Sequence, residues 1–191
     1  MTSLVEAILA VDADFDRAQL GHAFGGALAL GYVAEPRGTV DIDVNVFVPP
    51  EQFLRVVDAL APSGWTLESP EQIAVPAAGI RFVRTGDPVV VDVFVSLDDS
   101  YAEVEQRIVR VPFGPEKRMV PILSAEDLVV FKLSFGRDKD WVDLRSIAEA
   151  RPGLDLEYVE RRLLLLRGPR MHPRLARMRA LVRAATERRG S

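Results

Sequence analysis

Two aspartates one residue apart, Asp41 and Asp43, stand on the segment with the cleanest alternation in the chain. Val40, Ile42, Val44, Val46 and Val48 share one parity and Asp41, Asp43 and Asn45 the other, the period of two expected of a half-buried strand. Both carboxylates therefore face one side, with Cα atoms roughly 6 to 7 Å apart at about 3.3 Å rise per residue, close enough to reach one metal centre. Like charges so placed are unfavourable unless solvent or a cation sits between them. The wording D-x-D-x-N invites a calcium-loop reading. An EF-hand needs Gly at its sixth position and Glu at its twelfth, and those positions hold Val46 and Gln52.

Upstream, Gly25 and Gly26 precede Ala27-Leu28-Ala29-Leu30. The pair predicts the start of a short helix, whose first N–H groups are unsatisfied and favour an anion such as phosphate. A glycine turn between strand and helix, with no ligand, reads the same pair equally well. Downstream, Asp92 interrupts the apolar run Val89–Val95. A lone ionisable group there must be paired, metal-bound or at a cleft. Arg81 or Arg84, across a hairpin turning at Thr85-Gly86-Asp87-Pro88, would be the pairing partner.

Together these residues resemble the signature of the DNA polymerase beta-type nucleotidyltransferase superfamily: hydrophobic-Gly-Gly/Ser, a spacer, then Asp-hydrophobic-Asp/Glu-hydrophobic. Phe24-Gly25-Gly26 and Asp41-Ile42-Asp43-Val44 match it, and the R-x-T-x-D-x-D wording from Arg37 to Asp43 looks like minimal bacterial nucleotidyltransferases related to AbiEii-type toxins. The fourteen residues between Gly26 and Asp41 slightly exceed the usual spacer, read here as a loop insertion before Arg37. Ser124 to Asp143, with Asp-Leu-Val-Val-Phe-Lys-Leu and Arg-x-Lys-Asp, resembles the same group. The resemblance covers roughly residues 20 to 145. It implies two divalent metals, Mg2+ or Mn2+, on Asp41, Asp43 and Asp92. One would orient a nucleoside triphosphate and the other activate an acceptor hydroxyl that attacks the α-phosphorus. It also implies phosphate contacts from Gly25, Gly26, Thr39, Lys132 and Lys139, with Arg37 on an aspartate or a phosphate. Asp92 is its third carboxylate. Lys132 and Lys139 read alone are solvated helix charges.

The elements that must position these groups follow from periodicity. Leu4, Ile8, Val11 and Phe15 predict an amphipathic helix over residues 3–18, broken or bent near Asp12, Asp14 and Asp16. Those three acids resemble a metal site in spacing but read as a solvated face or turn. His22 reads as a packed or hydrogen-bonded strand residue rather than a catalyst. Glu51 to Ala61 predicts a helix burying Phe53, Leu54, Val57 and Leu60. Residues 79–96 predict two strands, residues 100–106 a short helix, and residues 108–123 a hairpin around Gly114-Pro115. Ser124 opens a helix in a capping-box-like start with Asp127, and a second helix runs through Trp141, Leu144 and Ile147. The rest is helical, with Leu175, Met178, Leu181, Val182 and Ala185 as a buried stripe and Arg174, Arg177 and Arg183 facing outward.

The net charge of −4 over 191 residues conceals an asymmetry: residues 1–150 carry 13 basic and 24 acidic side chains, whereas residues 151–191 carry 11 arginines and four acids. A basic tail can hold nucleic acid. The chain has no cysteine, which removes disulfides and thiolate metal sites. Its N-terminus lacks a basic n-region, and no apolar run approaches a membrane span, so a soluble cytoplasmic protein is expected.

The expectation is thus an α/β (α+β) fold, a nucleotidyltransferase-type mixed sheet flanked by helices, with residues 1–150 as core and residues 151–191 as basic C-terminal helices packed on it. The expected activity moves a nucleoside monophosphate from a triphosphate to a hydroxyl of a tRNA, a protein or a small molecule, in a toxin–antitoxin pair with a cognate antitoxin protein or outside one. The alternative is a catalytically silent module that acts through a partner protein.

Overall fold

The computed structural model describes residues 3–69, 71, 79–96 and 101–190. Ser100, at the start of one expected helix, lies outside them. By contacts the chain divides into one unit of Met1–Leu28 with Gly38–Leu123 and a second of Ala29–Arg37 with Ser124–Ser191.

The first unit holds a seven-stranded mixed sheet flanked by helices. Its strands are β1 (His22–Phe24), β2 (Asp41–Val46), β3 (Thr66–Leu67), β4 (Ile80–Val83), β5 (Val90–Val95), β6 (Val109–Phe113) and β7 (Arg118–Ile122), in the order β3-β4-β5-β2-β1-β7-β6. β2 and β5 pair in parallel near the middle, and β4 pairs antiparallel with β5 through the expected hairpin. The alternation on β5 is regular: Val91, Val93 and Val95 are buried, while Val90, Asp92 and Phe94 are half-buried. One face of this strand is therefore only half-buried.

Among the described residues, three α-helices belong wholly to this unit: α1 (Leu4–Arg17), α3 (Phe53–Leu60) and α4 (Tyr101–Gln106). α1 is one unbroken helix of 14 residues, opened by a capping box of Ser3 and Glu6. Of the three acids expected to be solvated, Asp16 is exposed, whereas Asp12 and Asp14 are each 2% exposed. They stay buried because each has a cationic or imidazole partner: His22 for Asp12 and Arg17 for Asp14. α3 is rotated from the expected phase. It buries Phe53, Val56, Ala59 and Leu60, and leaves Leu54 66% exposed. Pro50 opens a 3-10 turn over residues 50–52, so the helix enters one step later than a uniform 3.6 period from Glu51 assumes.

α2 (Gly26–Val33) starts in the first unit and ends in the second. The second unit also contains α5 (Ala125–Phe135), α6 (Asp138–Ala150), α7 (Leu156–Arg167) and α8 (His172–Gly190). Ser124 caps α5 by accepting from Asp127 N at 3.1 Å and donates to Asp127 Oδ2 at 2.6 Å; Tyr158 Oη on α7 donates to Asp127 Oδ1 at 2.6 Å. Buried Leu128, Leu133, Leu144, Ile147, Val159, Leu163, Leu175 and Met178 form this unit's core. Among the described residues no helix is long and apolar enough to cross a membrane.

Candidate active site

The sheet brings the three carboxylates of the first unit together in register. Parallel pairing sets Asp43 opposite Asp92 and Asp41 opposite Val90, while antiparallel pairing sets Arg81 opposite Asp92. Arg81, Asp92 and Asp43 therefore form one row across three neighbouring strands, with Asp41 two residues along β2 on the same face.

Asp92 is paired in this row. Arg81 Nε donates to its Oδ1 and Nη2 to its Oδ2, both at 2.8 Å, a two-point fork between planar groups. The Arg81 pKa is raised above its ordinary value, first by this hydrogen bonding, against the opposing effect of burial, and further by the Asp92 and Asp41 charges. Arg84 instead bonds Asp87 at the hairpin turn. Thr39 is engaged with the Asp41 backbone, accepting from its N at 3.0 Å and donating to its O at 3.1 Å, so its hydroxyl fixes the start of β2.

The glycine pair is fitted to Asp43. Gly25 N donates to Asp43 O at 2.8 Å, and Gly26 opens α2 with φ +52°. A Cβ on Gly26 would overlap Asp43 Oδ2 and lie 2.6 Å from its Cγ. At Gly25 it would meet Leu123 Cδ1 at 3.3 Å and Asn45 Nδ2 at 3.4 Å. The anion at the start of α2 is thus the Asp43 carboxylate itself, where the partial positive charge of a helix N-terminus favours it.

In the second unit the expected phosphate ligands have a protein anion. Lys132, 5% exposed, donates to Asp143 Oδ2 at 2.6 Å; Arg37 Nε donates to Asp143 Oδ1 at 3.0 Å and Nη2 to Oδ2 at 3.2 Å. Lys132 is therefore not a solvated charge, and of the two partners open to Arg37 the structure shows an aspartate. Lys139 is exposed on the first turn of α6. Asp143 was not singled out by sequence reasoning. Its only signal was a charged residue within the apolar-periodic Trp141–Ile147 stretch.

Of the tail arginines expected to face outward, Arg174 is half-buried and Arg177 is exposed. Arg174 Nη1 donates to the carbonyls of Leu133 and Ser134 at 2.6 and 2.8 Å, occupying acceptors at the C-terminus of α5. Arg177 lies over the Trp141 ring at 3.9 Å, Arg179 pairs with Glu160, and Arg188 with Glu149. Arg183 is exposed, as expected.

A second acidic group lies elsewhere in the first unit. Asp12, Asp16 and His22 have ligand atoms within 4.8 Å of one another and could hold a metal. His22 is packed and hydrogen-bonded, as its sequence position suggested. Asp41, Asp43 and Asp92 are not gathered so tightly, since Arg81 holds Asp92. Their chemistry nevertheless suits a hard divalent ion such as Mg2+ or Mn2+: all donors are carboxylate oxygens, on one half-buried face.

The family model described as nucleotidyltransferase of unknown function (DUF6036) matches residues 1–165. No curated protein matches the chain. Among solved structures, ANT(2")-Ia in complex with adenylyl-2"-tobramycin shares 18% identity over 98% of this chain and 99% of that one, with a TM-score of 0.58. The lincosamide antibiotic adenylyltransferase LnuA, lincomycin-bound, shares 13% identity over 77% and 96%, with a TM-score of 0.53. MenT4, a nucleotidyltransferase toxin from Mycobacterium tuberculosis H37Rv, shares 19% identity over 86% and 63%, with a TM-score of 0.50.

Proposed function

The chain belongs to the nucleotidyltransferase family whose model spans residues 1–165, and from that premise we propose that it transfers a nucleoside monophosphate from a triphosphate to an acceptor hydroxyl, with Mg2+ or Mn2+ on Asp41, Asp43 and Asp92. The observation that carries this reading is the register of β2 against β5, which sets Asp43 beside Asp92 while the glycine pair wraps Asp43. A divalent metal bound there supplies charge neutralisation for the triphosphate and acidifies the acceptor hydroxyl.

The chain's own residues set the geometry. Gly25 fixes Asp43 through its carbonyl, Gly26 leaves room for the carboxylate, and Thr39 anchors Asp41. Arg81 holds the Asp92 carboxylate in place through its two-point fork. Asp92 frees an oxygen for metal or for the acceptor proton by loosening one arm of that fork. Within the second unit, Lys132 and Arg37 are both engaged by Asp143.

For the acceptor we favour a small molecule over tRNA, because Arg174, Arg177, Arg179 and Arg188 of the tail are engaged within the protein. The neighbours solved with an adenylylated aminoglycoside and with lincomycin support the same choice. MenT4 keeps a toxin role, with a cognate antitoxin, as an alternative setting for the same chemistry. The fork on Asp92 favours a second reading, a silent nucleotide- or protein-binding module in which Arg81 stands where a metal would otherwise balance charge.

A thermal-shift titration with each of the four ribonucleoside triphosphates, with and without Mg2+ or Mn2+, tests the proposal on wild type and on Asp41→Asn/Asp43→Asn. Ligand that binds the native state raises the melting temperature. A metal-dependent rise lost in the double variant is expected. No rise with any nucleotide favours the silent module.

A further inference from the structure

His22 places both of its ring nitrogens against oxygens. Its Nδ1 lies 3.1 Å from Leu20 O, and its Nε2 lies 3.1 Å from Asp12 Oδ1. A carbonyl only accepts, so Nδ1 donates to it and Nε2 is turned toward the Asp12 carboxylate. Both side chains are 2% exposed, so water does not separate them. A proton held between Nε2 and the carboxylate completes the pair, and so does a metal bound by both.

The geometry suits a metal. Two adjacent ligand atoms about 2.1 Å from one ion stand about 3.0 to 3.4 Å apart for angles between octahedral and tetrahedral, and the observed separation is 3.1 Å. Asp16 stands four residues after Asp12 on α1, hence on the same helix face. Its carboxylate completes a group whose ligand atoms lie within 4.8 Å of one another, and its exposure leaves a side open for water ligands. A metal-bound imidazole commonly donates its other N–H to a backbone carbonyl, as Nδ1 does here to Leu20. The other cation facing the group is Arg118 on β7, whose Nη2 is 3.6 Å from Asp12 Oδ2 and leaves Oδ1 to the ring side.

We propose that Asp12, Asp16 and His22 bind one divalent transition metal, in a structural site separate from the Asp41, Asp43 and Asp92 carboxylates. The imidazole nitrogen selects Zn2+-like ions over Mg2+, whereas an all-carboxylate set does the reverse. The metal ties α1 to β1 across the turn at Gln19, which adopts φ +53°. β1 leads directly into Gly25 and Gly26, so occupancy stiffens the segment that delivers the glycine pair.

The test uses the full chain carrying Asp41→Asn/Asp43→Asn, which disables the carboxylate site. Co2+ is titrated by visible absorption and Zn2+ by calorimetry and competition. One Zn2+ per chain, not displaced by excess Mg2+, is expected. Adding Asp16→Asn, an exposed change that spares the core, should weaken Zn2+ by about tenfold or more. Absence of Co2+ and Zn2+ binding overturns the proposal, as does an affinity unaffected by Asp16→Asn. Nitrogen NMR separates the other cation: a His22 ring protonated on both nitrogens that persists in excess Zn2+ overturns it too.

Discussion

The Asp43 carboxylate occupies the space that any side chain at position 26 would fill: a Cβ there would lie 2.6 Å from Asp43 Cγ and 2.9 Å from its Cβ. Position 26 also has a left-handed φ of +52°, which costs an ordinary L-residue about 1 to 2 kcal/mol. Gly26→Ala is expected to destabilise the protein by at least about 2 kcal/mol, roughly 4 to 8 °C in a chain of this size. It should also abolish the metal-dependent nucleotide shift. Gly25→Ala meets its neighbours at 3.3 Å or more and should be milder. A melting series on both variants checks the ranking, and equal loss would contradict it.

On the proposed reading, Arg81 and a metal would compete for Asp92. Arg81→Gln should lower the Mn2+ concentration needed for the nucleotide-induced thermal shift, while Asp92→Asn should raise it. Because Arg81 is 39% exposed, its loss should cost the metal-free fold only about 1 kcal/mol. Mn2+ titrations of the three proteins decide the matter. An Arg81→Gln protein needing more Mn2+ would mean that the guanidinium supports the site instead.

Lys132 and Asp143 are a buried pair, at 5% and 2% side-chain exposure. Asp143→Ala leaves an ammonium without its carboxylate and should cost about 3 to 5 kcal/mol. Lys132→Met/Asp143→Leu should recover most of that, since the buried ammonium is removed with the carboxylate and Arg37, 36% exposed, can turn to solvent. Denaturant unfolding of the three proteins measures the difference, and a double variant as unstable as Asp143→Ala would refute the charge explanation.

The Asp87 carboxyl, in the turn of the β4–β5 hairpin, is held below its ordinary pKa by the Val89 N–H first and by Arg84 second. A depressed folded pKa stabilises the native state above the unfolded value, and that contribution disappears as pH falls through the folded one. Stability of wild type and Asp87→Asn should therefore differ at neutral pH and converge in acid, below the usual carboxylate range. A pH series of unfolding midpoints reads this directly, and parallel curves would exclude it.

Local rules made the strand of Asp41 and Asp43 legible. Alternation identified β2, turn chemistry identified the hairpin behind Asp92, and Ser124 announced α5. The partners of charges were harder, because they come from distant parts of the chain. Arg37 and Asp143 are separated by 106 positions, and nothing in either neighbourhood specifies the other. Arg81 was readable as a partner of Asp92 because the hairpin makes that contact local. Asp12 and Asp14 were misread as solvated since helical periodicity reports spacing and not what stands opposite a face. The α3 stripe slipped because a 3-10 turn shifts the phase by less than a pattern of apolar residues can resolve.

The β2–β5 pairing also bears on how the chain assembles. The β4–β5 hairpin closes over a short loop, whereas β2 must find β5 across almost fifty intervening residues, a slow step in loop-closure terms. Arg81 thus reaches Asp92 before Asp43 arrives, and β2 docks beside a carboxylate already neutralised. On this order, amide protection during refolding should appear in β4 and β5 ahead of β2. Without the guanidinium the last strand would have to close against like charge, and arginine at position 81 would then govern folding speed as well as chemistry.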